Sequence, residues 1–152
     1  MVEDARYRTK VFCDTYLTAA NILKDDATSQ AAFAVIFKKP PYPMIKEYYA
    51  SSSAVEVLFL IGKPSSKALL DTDQAPYGYE EHVPIRILCV DKIGVTGTKL
   101  KWTVEAELRR ICENNPTGSY RYLEVIDAGD EDIDGTRLYG ISTVMSYVRD
   151  TT

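Results

Sequence analysis

The chain has 152 residues, 45% of them hydrophobic and 26% charged, with a formal net charge of −4. That composition excludes a disordered or collagen-like chain and fits one globular domain, whose length hides roughly 70% of the surface exposed on unfolding without a disulfide or metal staple. The acidic balance, with a pI of about 5.1, lacks the basic field that a dedicated nucleic-acid binder exchanges for phosphate counterions, so direct sequence-specific contact with nucleic acid is not expected.

The opening MVEDARYRTK has no apolar signal region. No apolar run approaches membrane-spanning length, so no membrane partner is expected. Cys13, Cys89 and Cys112 are isolated, odd in number and set among apolar residues. They read as buried thiols in a reducing compartment.

Glu3 to Lys24 is predicted as a helix. Phe12, Tyr16, Ala19, Ala20 and Leu23 recur at spacings of three and four and share one face. Asp25 and Asp26 oppose the dipole at a helix C-terminus and stop it. Ala32 to Lys38 (AAFAVIFK) is short, apolar and partly β-branched, which predicts a strand closed by Pro40 and Pro41. A second strand falls within Ile45 to Ile61, with its core at Val55 to Ile61 and a bend at Ser51 to Ser53. Residues 62 to 82 lack periodicity and contain Pro64, Pro76 and Gly78, so they read as a flexible loop.

Val83 to Asp91 is predicted as a third strand. Val83, Ile85, Ile87 and Cys89 lie on one face and Arg86, Leu88 and Val90 on the other. Apolar residues on both faces imply a central position, with Pro84 at an edge or entry. Thr98 to Asn115 is the clearest helix, with Thr98 as N-cap and a stripe of Leu100, Val104, Leu108 and Ile111. Asn114-Asn115-Pro116 ends it, and Trp102 lies off the stripe. Tyr120 to Ile126 is a strand with Tyr120, Tyr122, Glu124 and Ile126 on one face. An acidic hairpin turn over 127–136 leads to a last strand, Leu138 to Arg149.

These elements predict a single α+β domain over residues 1–152. Its sheet, mixed or mainly antiparallel, has about five strands, with two helices packed on one face.

No motif assigns chemistry. His82 is the one histidine, and any Ser-His-Asp or Cys-His arrangement would have to use it, but nothing beside it resembles a nucleophile elbow. No CxxC pair exists for zinc. GVTGTK (Gly94 to Lys99) precedes a helix N-terminus but lacks the Walker spacing, and reads as a strand-to-helix turn. Asp130, Asp132, Asp134 and Gly135 match the opening of a calcium loop, yet its twelfth position is Ile141 where a bidentate Glu is needed. They read as a solvated hairpin tip. No catalytic residue, cofactor or metal is therefore assigned. The chain carries eleven tyrosines. Tyr42, Tyr48, Tyr49, Tyr77 and Tyr79 cluster around the proline-rich turn and the 62–82 segment, and with Trp102 they form the candidate interface.

The N-terminal helix followed by AAFAVIFKKPPYP, the strand VPIRILCVDK leading into TKLKWTVEAELRRICE, and the closing GISTVMSYVRD together resemble the tail-terminator and tail-completion proteins of tailed bacteriophages and related viruses. The resemblance implies a structural, non-enzymatic protein that forms a homo-oligomeric ring, commonly a hexamer in that family. It would act at the tail end or neck with other tail or neck proteins, assembled in the host cytoplasm and carried in the virion tail. The alternatives are a cellular ligand-binding or regulatory α+β domain, and a metal-dependent hydrolase built on Asp91, Asp127, Asp130, Asp132 or Asp134.

Overall fold

The computed structural model describes residues 5–37, 56–70, 76–91, 95–114, 120–127, 129–133 and 136–150. The elements, in chain order, are α1 (Ala5–Tyr16), a 3-10 turn (Ala19–Asn21), β1 (Phe33–Phe37), β2 (Val57–Ile61), β3 (Ser65–Leu70), β4 (Pro76–Val90), α2 (Gly97–Glu113), β5 (Tyr120–Asp127), β6 (Glu131–Ile133) and β7 (Thr136–Asp150). The chain is α+β, and among the described residues one mixed sheet of seven strands has the order β1-β2-β4-β7-β5. β3 joins beside β4, and β6 beside β7. β1 and β2 run parallel, and every other pair is antiparallel.

The axis of the sheet is the pairing of β4 with β7, continuous from Gly78↔Asp150 to Val90↔Leu138. On the other side of β4, its first half pairs with β3 and its second half with β2. On the other side of β7, its first residues pair with β6 and its later ones with β5. The two-residue period of a strand divides the side chains. Val57, Phe59, Ile61, Val83, Ile85, Ile87, Cys89, Ile141, Met145 and Tyr147 form one buried face with Phe12 and Cys13 of α1 and Leu100, Val104, Leu108 and Ile111 of α2. Leu58, Leu60, Leu88, Val90 and Leu138 form a smaller buried cluster on the opposite face. β4 is therefore central, as its two apolar faces imply, and the two described helices lie on the same side.

Several expectations are corrected, beginning with the strand count, which is seven among the described residues against about five expected. The 62–82 segment is not a flexible loop: it forms β3 and the first half of β4. Ser65 to Ala68 are exposed, so backbone pairing rather than an apolar face holds this strand, and no periodicity marks it. The first helix ends at Tyr16 instead of Lys24. The hydroxyls of Thr9 and Thr15 bond back to the carbonyls of Ala5 and Val11, at 2.7 Å each, an arrangement that slightly destabilises a helix. The chain then folds back through a bridge between Leu23 and Gln30, burying Ile22 while Ala20 stays exposed.

Pro84 sits inside a central strand, neither at an edge nor at an entry. Its carbonyl accepts the Gly62 N–H at 2.8 Å, on the side where β4 changes partner from β3 to β2. The absent N–H faces that junction, where no ladder bond is lost. In β5, irregularities between Tyr122 and Glu124 and between Val125 and Asp127 shift the register. They place Val125 on the core face with Tyr120 and Tyr122, as a β-bulge does. The acidic turn is also partly ordered, with β6 paired to β7 across Asp132↔Arg137.

Candidate functional site

Polar side chains collect at the end of the sheet where β4 begins and β7 finishes. On the helix side, Glu81 is buried. It accepts from Ser66 Oγ at 2.6 Å and from Arg149 Nε at 2.9 Å, and the Arg149 guanidinium lies 4.7 Å from the centre of the Tyr79 ring. On the other face, the register sets His82 between Ser65 and Ser146, with Ser146 opposite Arg121. His82 Nε2 lies 3.2 Å from Glu80 Oε1 but without the alignment of a hydrogen bond.

The register therefore places Ser146, His82 and Glu80 side by side. Ser146 Oγ is only 1% exposed as a residue and has no hydrogen-bond partner. The Ser–His hydrogen bond that would activate a nucleophile is not made. A cavity of about 340 Å³ opens here, lined by Arg8, Glu80, Arg121 and Ser146 with apolar walls from Leu69 and Val148. Arg8 reaches it from α1, its guanidinium 4.0 Å from the ring centre of Tyr147 and 5.7 Å from that of Tyr120. Tyr120 is in turn tied to α1 through Thr9 Oγ1, 3.0 Å from its hydroxyl. Burial pushes the Tyr120 phenol well above its usual range, so it stays neutral.

The N-terminus of α2 is met by carboxylates of the chain itself. Gly97 N–H donates to Asp91 Oδ1 at 2.5 Å. Thr96 gives its N–H and its hydroxyl to Asp25 at 3.1 and 2.8 Å. Two carboxylates of the chain itself thus occupy the positive end of the helix dipole. The expected N-cap, Thr98, is corrected to Thr96, whose own side chain makes no cap bond.

The acidic turn is likewise engaged. Asp130 meets Lys101 Nζ at 3.2 Å and Arg137 Nη2 at 3.4 Å. Burial raises its pKa, but the hydrogen bond and charge of Lys101, the Gly140 N–H and Arg137 outweigh that and lower it. Arg86 bonds the Gly129 carbonyl at 2.6 Å and Ser142 Oγ at 3.0 Å, and lies 3.4 Å from Glu131. Asp91 and Asp130 are thus committed to different partners. Among the described residues no three His, Cys, Asp or Glu side chains converge as metal ligands. Asp134, Gly135 and the Asp127 side chain lie outside them.

Of the candidate interface residues, Tyr42, Tyr48 and Tyr49 lie outside the described residues, as does the Tyr77 side chain. Tyr79 is half-buried against Arg149. Trp102 is 47% exposed on α2, its ring centre 5.9 Å from Lys101 Nζ. Sequence reasoning missed Arg8, Arg121, Glu80 and Ser146. They come from four elements: Glu80, Ser146 and Arg121 meet through the β4–β7–β5 register, and Arg8 comes from α1. The one local signal was an arginine inside the aromatic strand YRYLEVI. No family model matches the chain, and no curated protein matches its sequence. Among the described residues no helix is long and apolar enough to cross a membrane.

Proposed function

We propose that this chain is a structural assembly protein that forms a closed homo-oligomeric ring, of the kind that terminates or completes a viral tail. The observation that carries the reading is strand β1. Its residues, Phe33–Phe37 (FAVIF), hold no charge and no proline, and among the described residues β1 pairs with β2 alone. Natural edge strands are normally blunted by charge, proline or a bulge. β5 carries two register irregularities and β3 carries Lys67, whereas β1 has neither device. An unblunted apolar edge is a template for pairing with another copy.

Tyr7 and Val11, one turn apart on α1, are 55% and 44% exposed, and with Trp102 they supply further apolar contact area. A head-to-tail use of such surfaces generates rings when the rotation closes. Lysine at the edge tests this. Ile36→Lys is expected to weaken self-association at least tenfold in sedimentation experiments, with circular dichroism checking the fold because Ile36 also packs against the smaller core cluster. Undiminished association of a folded Ile36→Lys protein removes β1 as the interface. The tail location and neck partners belong to the same proposal and are tested by asking whether the protein binds isolated tail tubes.

A further inference from the structure

The cavity at the β4–β7 end has a composition that the assembly reading does not use. Arg8 and Arg121 both line it. Among the described residues neither guanidinium has a carboxylate or carbonyl partner; Arg8 is held only by stacking on Tyr147 and Tyr120. Stacking fixes a planar guanidinium without consuming its N–H donors, and such a fork matches an oxyanion in two-point contact. Ser146 adds a hydroxyl that is 1% exposed and unpaired. A buried hydroxyl without a partner is costly, so an unsatisfied one in a cavity wall marks a place where a ligand atom supplies the missing bond.

The cavity, at about 340 Å³, is at the lower end of the roughly 300–1,000 Å³ range of small-molecule sites. Its charged lining is two arginines against Glu80, which leaves it net positive; Glu80 itself faces His82 at 3.2 Å.

We propose that this cavity is a binding site for a small oxyanion, a carboxylate or phosphate group held by Arg121 and Ser146 Oγ, which share one face of the sheet, with Arg8 lending charge from the helix side. The site is independent of the ring reading and stands or falls separately from it. Inorganic phosphate and succinate, each titrated into the full chain at constant ionic strength against potassium chloride, test it by calorimetry and by the shift in melting temperature. Saturable binding of at least one anion is expected, and the preferred one identifies the ligand as phosphoryl or carboxylate.

Arg121→Gln is expected to weaken that binding about tenfold. Ser146→Ala is expected to weaken it several-fold while leaving the melting temperature of the unliganded protein unchanged or higher, because it removes a buried unpaired hydroxyl. A purely structural serine would give no loss of binding. No saturable response to either anion overturns the proposal. So does a response equal to that of chloride, or equal affinity in wild type and in folded Arg121→Gln.

Discussion

Two glycines show how closely this sheet is approached by its neighbours. A Cβ at Gly97 would fall 2.3 Å from Tyr139 Cδ2 and 3.1 Å from Asp91 Oδ1, so the first turn of α2 seats on β7 only because that position has no side chain. At Gly140 the added carbon would lie 2.3 Å from Arg86 Nη2 and 2.7 Å from the Gly129 carbonyl, and Arg86 could no longer lie over the strand to hold the acidic turn. Overpacking at sites of this kind costs about 1–3 kcal/mol. Gly97→Ala is therefore expected to lose stability of that order in urea unfolding, with the midpoint shifted and the slope unchanged; a loss within error shows that Tyr139 moves aside freely. The three cysteines are buried. Burial pushes all three thiols up, Cys112 to about 12, which keeps them as unreactive packing groups.

At the scale of elements, α2 is where sequence and structure agree best and also where the sequence hid most. Leu100, Val104, Leu108 and Ile111 are buried as their spacing requires. Yet Lys101, Glu105 and Glu107 are buried too. Glu105 accepts from Arg109 at 2.5 Å and from the Tyr122 hydroxyl at 2.6 Å, while Glu107 pairs with Arg110. Periodicity counts a charge as solvent-facing and cannot show a partner from another strand. The capping carboxylates are equally non-local: Asp25 lies 71 positions from Thr96. Loss of a capping side chain costs about 0.5–2 kcal/mol. Asp25→Ala is expected to destabilise by that amount and to speed amide exchange in the first turn of α2, whereas unchanged exchange there rules out the cap. β3 was illegible for a different reason, since both its faces are wet and only the backbone ladder defines it. The cavity residues were illegible because a one-residue change of register would scatter them.

The whole molecule combines an acidic net charge with carboxylates held ionised. Asp26 accepts from the Ser29 hydroxyl and from the Thr28 and Ser29 amides, which holds it well below the usual carboxylate range; Asp130 is lowered as described. A carboxylate whose folded pKa is depressed contributes stability that is fully present above its unfolded value of about 4 and is lost as pH falls through the folded one. Stability is therefore expected to fall as pH drops below about 4. Asp130→Asn should lower stability at pH 7 and flatten that acid limb, and a limb of unchanged steepness contradicts the role given to Lys101 and Arg137.

At this scale the fold class, the central β4 and the two helices on one face were readable from apolar spacing. The pairing of β1 with β2 alone among the described residues was not, because an edge strand and an inner strand of five apolar residues look alike until the sheet is assembled. The account rests on that edge meeting another copy of the chain. Sedimentation velocity of the purified full chain over a hundredfold range of concentration tests it most directly. A larger species of discrete size that grows at the expense of monomer is the predicted result; a single monomer boundary at the highest concentration would contradict it.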